Sequence, residues 1–317
     1  SIGLVGSEMC IRDRKYSKPF EIDIDSEDID CLSGDFNGDG FVDLIVASGG
    51  SEYSNFSPEL RDRLYLNNGK NIFSKEESAF IDINKFESTS TISASDIDGD
   101  SDLDLFLGTR LNTGSYGIKT QNYILINNGI GIFEDQSDEY FGDNRLMGMV
   151  TDSEFVDIDL DGTKELIVVG EWMPVGVYKI DNGKFFNISS KLGLEKSNGL
   201  YNTLEVVINK DSFPDIIIGN HGLNSFFKAS ESHPLTMYVN DFDRNGRTEQ
   251  IMGMYYGDDL YPVVQLKDLW MQIPSLKKQF LKFENYKNKK MDELFSREII
   301  EDTDKFYVYN LSLIHIS

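Results

Sequence analysis

Residues 35–47 read DFNGDGFVDLIVA: carboxylates at the first, fifth and ninth positions, an amide at the third, then four apolar residues. The pattern returns as DIDGDSDLDLFLG at 96–108, DIDLDGTKELIVV at 157–169, VINKDSFPDIIIG at 207–219 and DFDRNGRTEQIMG at 241–253. The first three copies start 61 residues apart, and the next two intervals shorten to 50 and 34. Similar patterns at a fixed interval mark an internal repeat, each copy being one supersecondary unit that buries its apolar face against its neighbours.

The apolar runs after the loops are short, β-branched and closed by Gly or Ser, which reads as strands buried on both faces. Thr91–Ser95 and Leu235–Val239 show that another short strand precedes the loop, so the acidic segment joins a hairpin. A second hairpin follows in the first three copies, with Asn-Gly at 68–69, 128–129 and 182–183. Asn-Gly between alternating strands signals a type I′ turn, which needs positive φ at both central residues. Two hairpins per repeat give a four-stranded sheet, and tandem four-stranded sheets are the units of a β-propeller. The fold class expected is therefore all-β, with Ser51–Asp62 and Leu111–Asn122 as connecting loops.

Carboxylates gathered in a tight loop repel one another by roughly 4 kcal/mol per pair at ~4 Å near a protein surface. A hard dication inverts that sign. Ca²⁺ takes 6–8 oxygen ligands and tolerates irregular geometry, whereas Mg²⁺ prefers fewer protein ligands and keeps its waters. The candidate ligands are Asp35, Asn37, Asp39 and Asp43; Asp96, Asp98, Asp100 and Asp104; Asp157, Asp159, Asp161 and Glu165; and Asp241, Asp243, Asn245 and Glu249. Backbone carbonyls at position seven (Phe41, Asp102, Thr163 and Arg247) complete each set. The fourth copy has Val207 in first place and offers only Asn209, Asp211 and Asp215. Three to five Ca²⁺ ions are expected. An EF-hand is argued against, since its loop ends in Glu at position twelve between helices; Val46, Leu107 and Val168 stand there instead.

The acidic loop followed by an apolar strand resembles the FG-GAP/VCBS repeat family, over about Ile29 to Gly257. Residues 219–225, 238–246 and 272–278 are similar to long VCBS-repeat proteins of Bacteroidetes type, which carry a C-terminal ASPIC/UnbV domain not found here. The resemblance implies a seven-bladed propeller, of which this chain would hold about five blades. It also implies a secreted or bacterial cell-surface location. Residues 1–14 and 312–317 resemble sequencing-adapter read-through and are set aside, leaving 15–311 as a partial propeller.

The bulk composition agrees. Fifty-four acidic against 30 basic residues give the 317-residue chain a formal charge of −24, a field that repels nucleic acid. No stretch approaches the ~18 apolar residues of a membrane span. Within 15–311, Cys31 is the only cysteine, which excludes an internal disulfide and reads as a small core side chain on a strand. Residues 273–295 break the β pattern: Leu276, Phe280 and Phe283 have the spacing of one helix face, beside the only lysine cluster. The run Glu21–Asp30 reads as the first strand. His221 and His233 sit in no nucleophile, zinc or phosphate-loop pattern. The function expected is a non-enzymatic calcium-binding scaffold for protein or glycan recognition and adhesion. The alternative is the propeller domain of a polysaccharide-active enzyme.

Overall fold

The computed structural model describes residues 19–54, 57–208 and 213–316. Its element order follows the repeats. The first sheet contains β1 (Glu27–Gly34), β2 (Asp43–Gly49), β3 (Arg63–Asn67) and β4 (Phe73–Lys75). The second contains β5 (Glu87–Ser95), β6 (Asp104–Asn112), β7 (Tyr123–Asn127) and β8 (Phe133–Asp135). The third contains β9 (Met149–Val156), β10 (Glu165–Met173), β11 (Gly176–Asp181) and β12 (Lys184–Asn187). Each is an antiparallel meander in chain order.

In the first three sheets the strands after the acidic loops are buried on both faces, which meet different neighbours; those after the fourth and fifth loops were expected to be the same but alternate between buried and half-buried positions. Leu105 and Leu107 of β6 pack with Ile45, Ala47 and Leu64 of the first sheet. Phe106, between them, packs with Val150, Leu166 and Val168 of the third. In β10, Ile167 and Val169 turn instead toward Ile216 and Ile218. Period-two alternation between two apolar interfaces explains why these runs are continuous rather than alternating.

The later repeats depart from the four-strand plan. β13 (Gly199–Ile208) and β14 (Pro214–Asn220) form the fourth hairpin, and no second hairpin follows it among the described residues. β14 pairs instead with β19 (Ile314–Ile316), in the tail set aside above, while β13 also bridges β10 at Leu200 and Gly199. The last sheet runs β17-β16-β15-β18: β15 (Leu235–Asn240), β16 (Glu249–Tyr256) and β17 (Asp259–Pro262), with β18 (Asp304–Val308) on the free edge of β15.

Between β17 and β18 the chain is helical, but not as one amphipathic helix over 273–295. It forms short pieces: α2 (Leu266–Gln272), a 3₁₀ turn at Pro274–Lys277, α3 (Phe283–Tyr286), another at Met291–Glu293, and α4 (Arg297–Glu301); α1 (Ser137–Phe141) lies earlier in the chain. Pro274 starts a new turn, as its missing N–H allows. Leu276 and Phe280 are buried with Ile251 of β16 and Phe242 of the loop before it, but the break before α3 turns Phe283 outward, 62% exposed.

Three smaller expectations are also corrected. β1 begins only at Glu27, because residues 19–23 form a 3₁₀ helix. Cys31 is exposed on β1 rather than in the core. The Asn-Gly pairs make a two-residue turn only at Asn182-Gly183, both at positive φ. At 68–69 and 128–129 the loops run on to Ile72 and Ile132, whose carbonyls accept the N–H groups of Asn68 and Asn128. There the Asn67 and Asn127 side chains accept the N–H groups of Gly69 and Gly129 and stabilise a wider loop.

The first strand of each of the first four repeats carries one bulged residue: Ile29, Ser90, Thr151 and Asn202. Bulges re-aim side chains, and here they tie neighbouring sheets together. Asp30 Oδ2 accepts from Ile92 N at 2.9 Å, Ser90 Oγ lies 2.7 Å from Val150 O, and Asp152 Oδ2 accepts from Leu204 N at 2.7 Å. Asp152→Ala leaves the N–H of Leu204 without this acceptor and is expected to cost about 1–3 kcal/mol. Urea unfolding measures it, and an unchanged midpoint contradicts the bracing role.

Candidate metal sites

Each acidic loop is built by its own side chains accepting backbone N–H groups. The first-position carboxylate reaches across the turn: Asp35 accepts from Gly38 and Gly40, Asp96 from Gly99 and Ser101, Asp157 from Asp161 and Gly162, Asp241 from Asn245 and Gly246. The fifth position caps the seventh: Asp39 accepts from Phe41 at 2.9 Å, Asp100 from Asp102 at 3.1 Å, Asp161 from Thr163 at 2.9 Å and Asn245 from Arg247 at 2.8 Å. Positions four and six need φ near the left-handed region whether or not they are glycine. Gly38 and Gly40 supply it freely, whereas Ser101 (φ 80°), Leu160 (57°) and Arg244 (61°) adopt it as L-residues. That strain costs about 1 kcal/mol or more per residue, so the loop shape is imposed by its surroundings.

The ninth-position carboxylate is the buried anchor: Asp43, Asp104 and Glu165 are at most 1% exposed and Glu249 6%. Each accepts the N–H of the second loop residue, namely Phe36, Ile97, Ile158 or Phe242. Asp43 and Asp104 use their other oxygen on the N–H of Asn67 and Asn127, stitching the acidic loop to the second hairpin of its own sheet.

Among the described residues, three loops bring acid oxygens together. Asp96, Asp98 and Asp104 form one group, Asp157, Asp159 and Glu165 a second, and Asp241, Asp243 and Glu249 a third; within each, the oxygens lie within 4.8 Å of one another. Oxygens bound at ~2.4 Å to a common centre are separated by at most about 4.8 Å, so this spacing suits a hard cation such as Ca²⁺. Asp102 Oδ1, Asp243 Oδ1 and Glu165 Oε1 are buried without a hydrogen-bond partner, an arrangement a cation would satisfy; beside Glu165 Oε1 the Lys179 ammonium stands 3.0 Å away. In the first loop Asn37 replaces the third-position acid, and its Nδ2 donates to Asp39 Oδ2 at 3.1 Å. The fourth loop's Asn209 and Asp211 lie outside the described residues, while Asp215 sits on β14 with its carboxylate 3.3 Å from His315 Nε2. Strands flank all the described loops, as the argument against an EF-hand required.

Burial, then crowding by Asp100, Asp104 and Asp98, pushes Asp102 up to about 6; burial, with a smaller push from Asp98, brings Asp104 to about 6 as well. Glu249 and Asp43 are raised for the same two reasons, burial first. Without metal, the folded state therefore binds more protons than the unfolded chain, whose Asp titrates near ~3.9, and stability falls as pH rises from about 4 to 6. A bound Ca²⁺ would reverse that slope, because its ligands must be ionised. Measured in EGTA, the wild type is expected to lose stability relative to Asp102→Asn as pH rises through that window. Parallel pH curves contradict the assignment.

One participant escaped the sequence reading. Lys179, on β11, places Nζ 2.6 Å from Asp159 Oδ2, 2.6 Å from Asp161 Oδ2 and 3.0 Å from Glu165 Oε1. Hydrogen bonds to Asp159, then Asp161 and Glu165, hold its ammonium well above the ordinary lysine range. The only sequence signal was a lysine where the aligned strands carry Leu66 and Ile126.

These features define a tandem-repeat, mostly β protein whose hairpins carry acidic, metal-competent loops. Residues 35–107, from the first acidic loop into β6, match the FG-GAP-like repeat family. No match among curated proteins was found. Among the described residues, no helix is long and apolar enough to cross a membrane.

Proposed function

We propose that the chain is part of a calcium-stabilised β-propeller of FG-GAP/VCBS type, a non-enzymatic scaffold that presents loops to a protein or glycan ligand outside a bacterial cell. The observation that carries the reading is the convergence of acid oxygens within 4.8 Å in the second and fifth loops, both lying between strands; the first loop joins them on its matching residues and backbone hydrogen bonds. Ca²⁺ is assigned to the first, second and fifth loops, held by Asp35, Asn37, Asp39 and Asp43, by Asp96, Asp98, Asp100 and Asp104, and by Asp241, Asp243, Asn245 and Glu249. The carbonyls of Phe41, Asp102 and Arg247 complete these sets. The ion clamps a hairpin that is otherwise pushed apart by its own charges. Support for the propeller comes from successive sheets packed face to face, with their first strands hydrogen-bonded to one another. Weak sites, with Kd of about 10⁻⁴–10⁻³ M, are those of extracellular modules. Melting in EGTA and again with Ca²⁺ restored tests the reading, and an unchanged Tm overturns it.

A further inference from the structure

We infer that Lys179 is the resident cation of the third acidic loop, so that this loop closes its hairpin without a metal while its neighbours depend on one. The inference rests on the calcium reading of those neighbours for its contrast. The third loop has the same backbone as the others: Asp157 accepts from Asp161 and Gly162, and Glu165 from Ile158. The difference lies across the sheet. Leu166 pairs with Tyr178, as Leu44 pairs with Tyr65 and Leu105 with Leu125. The next position along the partner strand faces the ninth-position acid. It is apolar in the first two sheets, Leu66 and Ile126, and Lys179 in the third.

The ammonium meets three of the loop's four acids, at 2.6, 2.6 and 3.0 Å. Two of the oxygens it meets belong to Asp159 and Glu165, which are also members of the candidate metal trio. A dication at that centre would need those carboxylates and would meet a positive charge tethered among them. Glu165, one methylene longer than the Asp43 and Asp104 it replaces, keeps one oxygen on the N–H of Ile158 and turns the other to the lysine. The lysine thus takes the ion's place, giving one hairpin whose closure does not follow the calcium concentration.

Equilibrium dialysis against Ca²⁺ with metal analysis provides the test on the full chain. Lys179→Leu, which installs the residue of the first sheet, is expected to bind one more ion than the wild type. Glu165→Gln is expected to bind the same number as the wild type. A loss of one ion on Glu165→Gln, or no gain in a folded Lys179→Leu protein, overturns the inference. Hydrogen exchange of the wild type gives an answer needing no variant. EGTA is expected to speed exchange at Val46 and Leu107 by roughly tenfold or more and to leave Val168 and Val169 protected; equal acceleration at all four overturns it. Should the wild type bind no calcium, the reading of the neighbouring loops fails, yet uptake of one ion by Lys179→Leu still supports the lysine's role.

Discussion

Chelation with EGTA is expected to lower the melting temperature by roughly 10 °C, and restoring Ca²⁺ to ~2 mM to return it. The magnitude follows from mass action. A site with Kd of about 10⁻⁴ M at ~2 mM free ion stabilises the folded state by about 1.8 kcal/mol, so three such sites contribute about 5 kcal/mol. For a chain of this size, 1 kcal/mol moves Tm by about 2 °C. The loops give a reason for the ion to bind only the folded state. Asp96, Asp98 and Asp104 converge because β5 and β6 hold the two ends of the loop together, and an unfolded chain scatters them. Mg²⁺ at the same concentration is expected to restore much less, since it gives up its waters reluctantly. Identical melts with and without EGTA remove calcium from the account.

The sequence made the repeating part of this fold legible because the repeat is written in local chemistry. Loop acids at fixed positions, an apolar run after them and a second hairpin are all short-range features, and the first three sheets follow them closely. What escaped was set by partners distant in the chain. β18 reaches the free edge of β15 only after the helical segment, and β19 reaches β14 from nearly a hundred residues away. Neither pairing has a local signature. The spacing of Leu276, Phe280 and Phe283 suggested one helix, but Pro274 and the need to cover Phe242 and Ile251 divide the segment into short turns. Cys31 was placed inside by its residue type, yet it lies on an exposed stretch of β1. The acids that converge, such as Asp96, Asp98 and Asp104, were visible from spacing alone. Lys179 was not, because its role appears only when β11 is laid beside the loop.

Asp104→Ala is expected to be among the most damaging single substitutions in the chain, costing about 4–8 kcal/mol in Ca²⁺. Asp104 is fully buried and accepts from Ile97 N at 2.7 Å and from Asn127 N at 2.9 Å. Removing it leaves two N–H groups without acceptors, at about 1–3 kcal/mol each, and removes one oxygen from the second metal loop. Asp100→Ala separates the two contributions. That side chain is exposed and accepts from the N–H of Asp102, itself in the exposed loop, so its loss is expected to cost mainly the metal share, about 2 kcal/mol in Ca²⁺ and little in EGTA. Asp104→Ala should keep most of its cost in EGTA, because its backbone partners do not depend on the ion. Urea unfolding of both variants, with and without Ca²⁺, gives four differences that resolve the two roles. If the cost of Asp104→Ala vanishes in EGTA, the buried carboxylate is a ligand and nothing more. If it persists, the fold retains this brace between the first and second hairpins whatever the calcium level, and the ion adds to a loop already shaped to receive it.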